Sequence, residues 1–188
     1  MLALVGLSED LSRIAAAASA FAGPDEELAG VIPAEPAAGS RVYLCAYRRE
    51  GGATSWLALD DAAEPVVDRA RVREAVSIAA MCELAEEVAA GGDLDDLRSQ
   101  LVALRVTENP PGVDEAEDAV AVLQQTIGAP PRVASPQHLD AVGAATRNLE
   151  RALGDGHASP FAEAMKRSLG SVEELTNDVE ANYKRPLG

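Results

Sequence analysis

From residue 68 to the C-terminus, apolar side chains recur every three or four positions, and glycine or proline interrupts the pattern. Such spacing places the apolar residues on one face of an α-helix, whereas Pro and Gly end helices. Asp68 and Asp93 are predicted N-caps, and Ser135-Pro136 and Ser159-Pro160 match a cap followed by proline at the first helical position. The pattern predicts five helices, over residues 69–90, 94–106, 113–127, 136–153 and 160–183.

The first 40 residues predict one more helix and an extended connector. An apolar stripe at helical spacing follows Ser8, the predicted N-cap, and consists of Leu11, Ile14, Ala18 and Phe21. Gly23-Pro24 is predicted to end this helix. Residues 30–39 contain two prolines, each of which biases the preceding residue away from helix, so this stretch is predicted to be a connector.

Residues 41–59 carry the one clear β signal. Two apolar runs, 41–47 and 55–59, flank a turn segment with two adjacent glycines at residues 50–53. This arrangement predicts a β-hairpin. An isolated hairpin is marginally stable in water, so we expect it to pack against helices or further strands.

These elements together predict an α+β fold that is predominantly helical, with a short β element (at least one hairpin) packed on a bundle of about six helices. The 37 alanines among 188 residues agree with a high helix content, because Ala is the best helix former and a poor strand former. The length fits a single domain over residues 1–188, within which 1–92 and 93–188 are candidate subdomains.

The charge of the chain limits its partners. A formal net charge of −15 repels phosphate backbones and anionic lipids, so we expect neither nucleic-acid nor membrane binding. No stretch approaches the 18 or so apolar residues of a membrane span, and residues 1–7 lack the basic start of a secretory signal. Cys45 and Cys82 lie in apolar runs and are predicted to be reduced, buried thiols. A cytoplasmic location is therefore expected.

Motifs for metal, nucleotide or cofactor binding were not found in the sequence. The acidic block at residues 83–118 lacks a Glu-x-x-His pair, so it is interpreted as a solvated surface. His138 and His157 are not at metal-ligand spacing from another His or a Cys. Glycine-rich phosphate loops and the Gly-x-Ser-x-Gly elbow are also missing. We therefore expect no metal and no cofactor, while the sequence leaves open whether the chain is an enzyme.

The arginines around the hairpin and the next helix are the least ordinary feature. Cations at a helix N-terminus oppose the helix dipole, yet arginines crowd the start of helix 69–90. Guanidinium groups bind carboxylates and phosphates, which suggests a small anion site made by Arg41, Arg48, Arg69 and Arg73. Ion pairing with neighbouring acidic residues explains the same arrangement without a ligand.

Two functions follow from these observations. The first is a non-catalytic protein interaction or assembly module, with a homo-oligomer or another protein as its partner. The alternative is a small enzyme or ligand-binding domain whose arginine-lined pocket takes a small phosphate- or carboxylate-bearing metabolite.

Overall fold

A computed structural model of the chain describes residues 2–36, 40–91, 93–128, 132–154, 159–185 and 188. The described residues contain three strands and six helices. In chain order these are α1 (Leu2–Ser19), β1 (Glu26–Ala34), β2 (Val42–Arg49), β3 (Thr54–Leu59), α2 (Arg69–Ala90), α3 (Leu94–Thr107), α4 (Val113–Gly128), α5 (Pro136–Ala152) and α6 (Pro160–Ala181). The predicted class, α+β with helix predominating, is confirmed.

The three strands form one antiparallel sheet in the order β1-β2-β3. Strands β2 and β3 are the predicted hairpin, with Tyr43 opposite Leu59 and Arg48 opposite Thr54. The turn between them contains Gly51 and Gly52, whose φ angles are 104° and 88°. Only glycine adopts such angles readily, which explains the pair of glycines in the sequence.

Strand β1 corrects the sequence interpretation, which predicted a connector over residues 30–39. Glu26–Ala34 pairs with β2 along its length, with a bulge between Leu28 and Gly30. The backbone oxygen of Pro33 accepts a hydrogen bond from the Ala134 N–H at 2.9 Å. Because a residue's N and O face the same side of an antiparallel ladder, the nitrogen of Pro33 also faces away from β2, and its missing N–H costs that ladder nothing.

Helix α1 is also longer than predicted. It begins at Leu2, so Ser8 is an interior residue and not the N-cap. The Ser8 carbonyl accepts the Ser12 hydroxyl at 2.9 Å. Residues 2–7 contain mostly Leu, Ala and Val and no proline, so nothing in them ends the helix before the polar residues begin.

The described core falls into two clusters. In one, Ile14 and Ala18 of α1 pack against alternate residues of β2 and β3, which share one face of the sheet: Tyr43, Cys45, Tyr47, Leu57 and Leu59. The other is built from helices and includes Leu94, Leu101, Val120, Leu123, Val142, Leu149 and Phe161.

Contacts divide the chain into two compact units. The first comprises residues 1–81, 131–136 and 170–188, and the second comprises 82–130 and 137–169. Helices α2 and α6 each supply residues to both units. The single domain expected from the sequence, with its candidate subdomains, stays a prediction.

Two of the N-caps expected from the sequence, Asp68 and Asp93, are present. The Asp68 carboxylate accepts the backbone N–H of Ala70 at 2.9 Å, and Asp93 accepts those of Asp95 and Asp96. Asp and Ser at this position satisfy backbone donors that the helix itself leaves unpaired. These caps explain why the starts of α2 and α3 could be read from the sequence.

Within the part of the chain that the structure describes, no helix has both the length and the apolar character needed to cross a bilayer.

Candidate functional site

The four arginines singled out in the sequence lie in three places. Arg41 and Arg48 stand at opposite ends of β2, about 23 Å apart for an extended strand. Arg41 lies 3.7 Å from Asp10 and 4.0 Å from Glu35. Two cations this far apart cannot bind the same small anion.

Arg41 is also approached by a different helix residue from the one expected. The side chain of Arg71 donates to the Arg41 carbonyl at 3.3 Å. Arg69 and Arg73 are four residues apart and share a face of α2, whereas Arg71 lies on another. The start of α2 therefore divides its arginines between two neighbourhoods.

Arg69 and Arg73 meet at Glu180, near the end of α6. Arg69 donates through Nε at 3.3 Å and through Nη2 at 2.9 Å, while Arg73 Nη1 lies 3.2 Å from both carboxylate oxygens. The hydrogen bond from Arg69, together with the charge of Arg73, lowers the pKa of Glu180. Glu180 is 12% exposed, against 61% for Arg69 and 44% for Arg73. The carboxylate therefore lies beneath two guanidinium groups that still face solvent.

A cavity of about 690 Å³ opens beside this cluster. We call it the basic pocket, and its lining residues are Arg69, Asn177, Glu180, Ala181, Tyr183, Lys184 and Arg185. All of them belong to the first unit. The lining joins the first residue of α2 to the last turn of α6 and the segment that follows it.

Backbone hydrogen bonds hold the segment after α6 against strand β3. The N–H of Trp56 donates to the Asn182 carbonyl at 3.0 Å, and the N–H of Lys184 donates to the Trp56 carbonyl at 2.8 Å. The Tyr183 hydroxyl accepts the N–H of Ala58 at 2.9 Å and donates to the Val66 carbonyl at 2.6 Å. This wall of the basic pocket is fixed by the sheet.

Lys184 anchors the same wall through Glu26. Its Nζ lies 2.5 Å from a Glu26 oxygen, donates to the Phe21 carbonyl at 2.7 Å and stands 3.4 Å from the Tyr47 ring centroid. Glu26 also accepts from Arg49 at 2.8 Å. These hydrogen bonds, with Lys184 the largest contributor, hold the pKa of Glu26 far below its usual range. Lys184 therefore has a structural partner.

Arg185 differs from the other lining cations. It is exposed, and its guanidinium lies 5.5 Å from the Phe21 ring centroid. Among the described residues, no carboxylate is within ion-pair distance of it. Arg185 therefore brings an unneutralised positive charge to the basic pocket.

The backbone at the start of α2 is not a further source of donors. Asp68 already accepts the N–H groups of Ala70 and Arg71, at 2.9 Å and 3.4 Å. An anion in the basic pocket would have to be held by side chains.

Sequence reasoning found Arg69 and Arg73 but missed Asn177, Lys184 and Arg185. The available signal was the adjacent pair Lys184-Arg185 just after a helix, where cations favour the negative end of the helix dipole. That signal does not show that the pair lies near a helix start more than 100 residues earlier.

Arg48 and the remaining titratable residues lie elsewhere. Arg48 is exposed and lines a second cavity, of about 530 Å³, beside Arg49 and Glu27. His138 lies 2.6 Å from Glu86, and His157 is outside the described residues. No group of three His, Cys, Asp or Glu side chains in the described ranges is arranged to hold a metal ion.

Both cysteines are buried and neither forms a disulfide, as the sequence predicted. Burial raises the pKa of the Cys45 thiol to about 12. At neutral pH this thiol is protonated and a poor nucleophile.

Comparisons with protein-family models, curated proteins and solved structures found no match to this chain.

Proposed function

We propose that the protein binds a small anionic ligand in the basic pocket. The observation that carries the proposal is the gathering of Arg69, Lys184 and Arg185 around one cavity in a chain with 16 basic and 31 acidic residues. On so acidic a chain, a cavity with three cations and one carboxylate is where an anion meets the least repulsion.

The donors left over at the cluster support binding. A guanidinium has five N–H donors arranged in two edges that each match an oxyanion. Arg69 uses Nε and Nη2 for Glu180, which leaves its Nη1–Nη2 edge. Arg73 uses only Nη1, which leaves its Nε–Nη2 edge. Both arginines are held in place by Glu180, so little side-chain freedom is lost when an anion binds.

Two of the other polar groups of the lining are already hydrogen-bonded within the protein, which favours ligand binding over catalysis. The Tyr183 hydroxyl and the Lys184 ammonium are the reactive groups at the pocket wall, and each is already engaged by at least two protein groups. The sequence predicted a non-catalytic interaction module, and this proposal is compatible with that prediction. An anionic group carried by a partner protein would bind in the same pocket as a free anion. A cytoplasmic location stays a prediction.

Thermal unfolding of the full chain tests the proposal. Sodium phosphate and sodium glutarate are titrated at constant ionic strength. A ligand at ten times its dissociation constant adds about 1.4 kcal/mol by mass action. For a chain of this size that raises the Tm by about 3–6 °C.

The variants decide which residues are responsible for the shift. Arg69→Ala should abolish it. Arg98→Ala is the matched control, because Arg98 is an exposed arginine of α3 without an ion pair to any described residue. If neither anion raises the wild-type Tm, or if Arg98→Ala and Arg69→Ala reduce the shift equally, the pocket is not the site.

A further inference from the structure

We propose that the ligand of the basic pocket is a compact dicarboxylate, with one carboxylate held at Arg69 and the other at Arg185. This inference rests on the proposed function and specifies its ligand. It follows from the way in which charge, open donors and space are distributed around the cavity.

The positive charge of the pocket is divided between two elements of the chain. At the start of α2, Arg69 and Arg73 share the single carboxylate of Glu180, which leaves one net positive charge there. Beyond α6, Arg185 carries a second charge without a carboxylate partner among the described residues. Lys184 does not form a third centre, because its ammonium group is already engaged by Glu26, the Phe21 carbonyl and the Tyr47 ring. The pocket therefore presents two centres of one net charge each.

Two centres of one charge each match two carboxylates better than one phosphate. A carboxylate carries one negative charge at neutral pH, whereas a phosphate monoester concentrates about 1.5 to 2 charges on a single group. A single phosphate would overcharge one centre and leave the other unmatched.

The space in the cavity also exceeds what one anionic group requires. Its volume of about 690 Å³ lies within the range of roughly 300–1,000 Å³ typical of small-molecule sites. Asn177 lines the same cavity, and its side-chain amide offers both a donor and an acceptor to a polar ligand.

Calorimetry on the full chain at pH 7 and constant ionic strength tests this inference. The probes are acetate, succinate, glutarate, adipate and inorganic phosphate. Linking two anchored groups raises affinity, because the second carboxylate binds at high effective concentration. We expect at least one dicarboxylate to bind at least tenfold more tightly than either acetate or phosphate.

Variants of Arg185 isolate the second centre. In Arg185→Ala the tenfold advantage of the dicarboxylate over acetate should disappear, because only one anchoring centre remains. Arg185→Lys keeps the positive charge but lacks the planar guanidinium group, and it should restore part of the advantage. Arg69→Ala removes the other anchor and should abolish the advantage in the same way, and Arg98→Ala should leave it intact.

The outcomes separate this inference from the proposed function. If phosphate or acetate binds as tightly as every dicarboxylate, or if Arg185→Ala leaves the advantage intact, the dicarboxylate assignment is wrong and anion binding stands. If none of the five probes binds the wild-type chain, the proposed function fails as well.

Discussion

Removing the charge of Glu26 should loosen the segment after α6. The Glu26 side chain is 7% exposed and accepts four hydrogen bonds, from Lys184, Arg49, Ser55 and the backbone of Gly23. In Glu26→Gln the ion pairs with Lys184 and Arg49 are lost, and one amide oxygen replaces two carboxylate oxygens.

The expected cost follows from those contacts. Hydrogen bonds that involve a charged group contribute about 1.5–3 kcal/mol, and we expect a loss of about 2 kcal/mol in the free energy of unfolding. For a chain of this size, each kcal/mol lost from the free energy of unfolding lowers the Tm by about 2–4 °C, so the Tm should fall by about 4–8 °C.

The effect should depend on pH in a defined direction. The folded-state pKa of Glu26 lies below its ordinary value of 4.5. Its contribution to stability is therefore complete above pH 4.5 and is lost as the pH falls through the folded-state pKa. The difference between wild type and Glu26→Gln should be full at pH 7 and should shrink progressively below pH 4.

Urea unfolding at several pH values measures both quantities. Glu27→Gln is the matched control, since Glu27 is the next residue of β1, is exposed and has no ion pair to a described residue. It should change stability by less than about 0.5 kcal/mol. If Glu26→Gln is as stable as Glu27→Gln at pH 7, the Glu26 network does not hold this segment.

Three further outcomes are expected. Tyr183→Phe should lower the free energy of unfolding by about 1–3 kcal/mol in urea titrations, because it leaves the Ala58 N–H without its acceptor. Gly170→Ala should raise it by about 0.5–1 kcal/mol, since the position is inside α6 and an added methyl group meets nothing within 4 Å. Cys45 and Cys82 should react slowly with a thiol reagent in native protein and quickly in denaturant; equal rates in the two conditions would contradict their burial.

Helices α2 to α6 and the hairpin could be predicted because their signals are local. The Asp68 and Asp93 caps and the Ser-Pro pairs mark helix starts through contacts within a few residues. The glycines at 51 and 52 mark the turn in the same way, because their positive φ angles arise within the turn itself.

Strand β1 and the basic pocket were missed because they depend on distant partners. The prolines of residues 30–39 predicted a connector, and the sequence does not show that the Pro33 carbonyl accepts a hydrogen bond from Ala134, about 100 residues later. Arg69 and Glu180 are 111 residues apart. The apolar periodicity predicted that each residue lies in a helix. It could not predict that the start of α2 contacts the end of α6, because tertiary packing decides that contact.

The side-chain Nε–Hε resonances of arginine, followed by NMR while glutarate is added, test the central claim most directly. The account predicts that the resonances of Arg69, Arg73 and Arg185 shift along a saturable curve with one common dissociation constant, while that of Arg98 stays in place. Parallel, non-saturating shifts of all four resonances, or no shift in any of them, would contradict anion binding in the basic pocket.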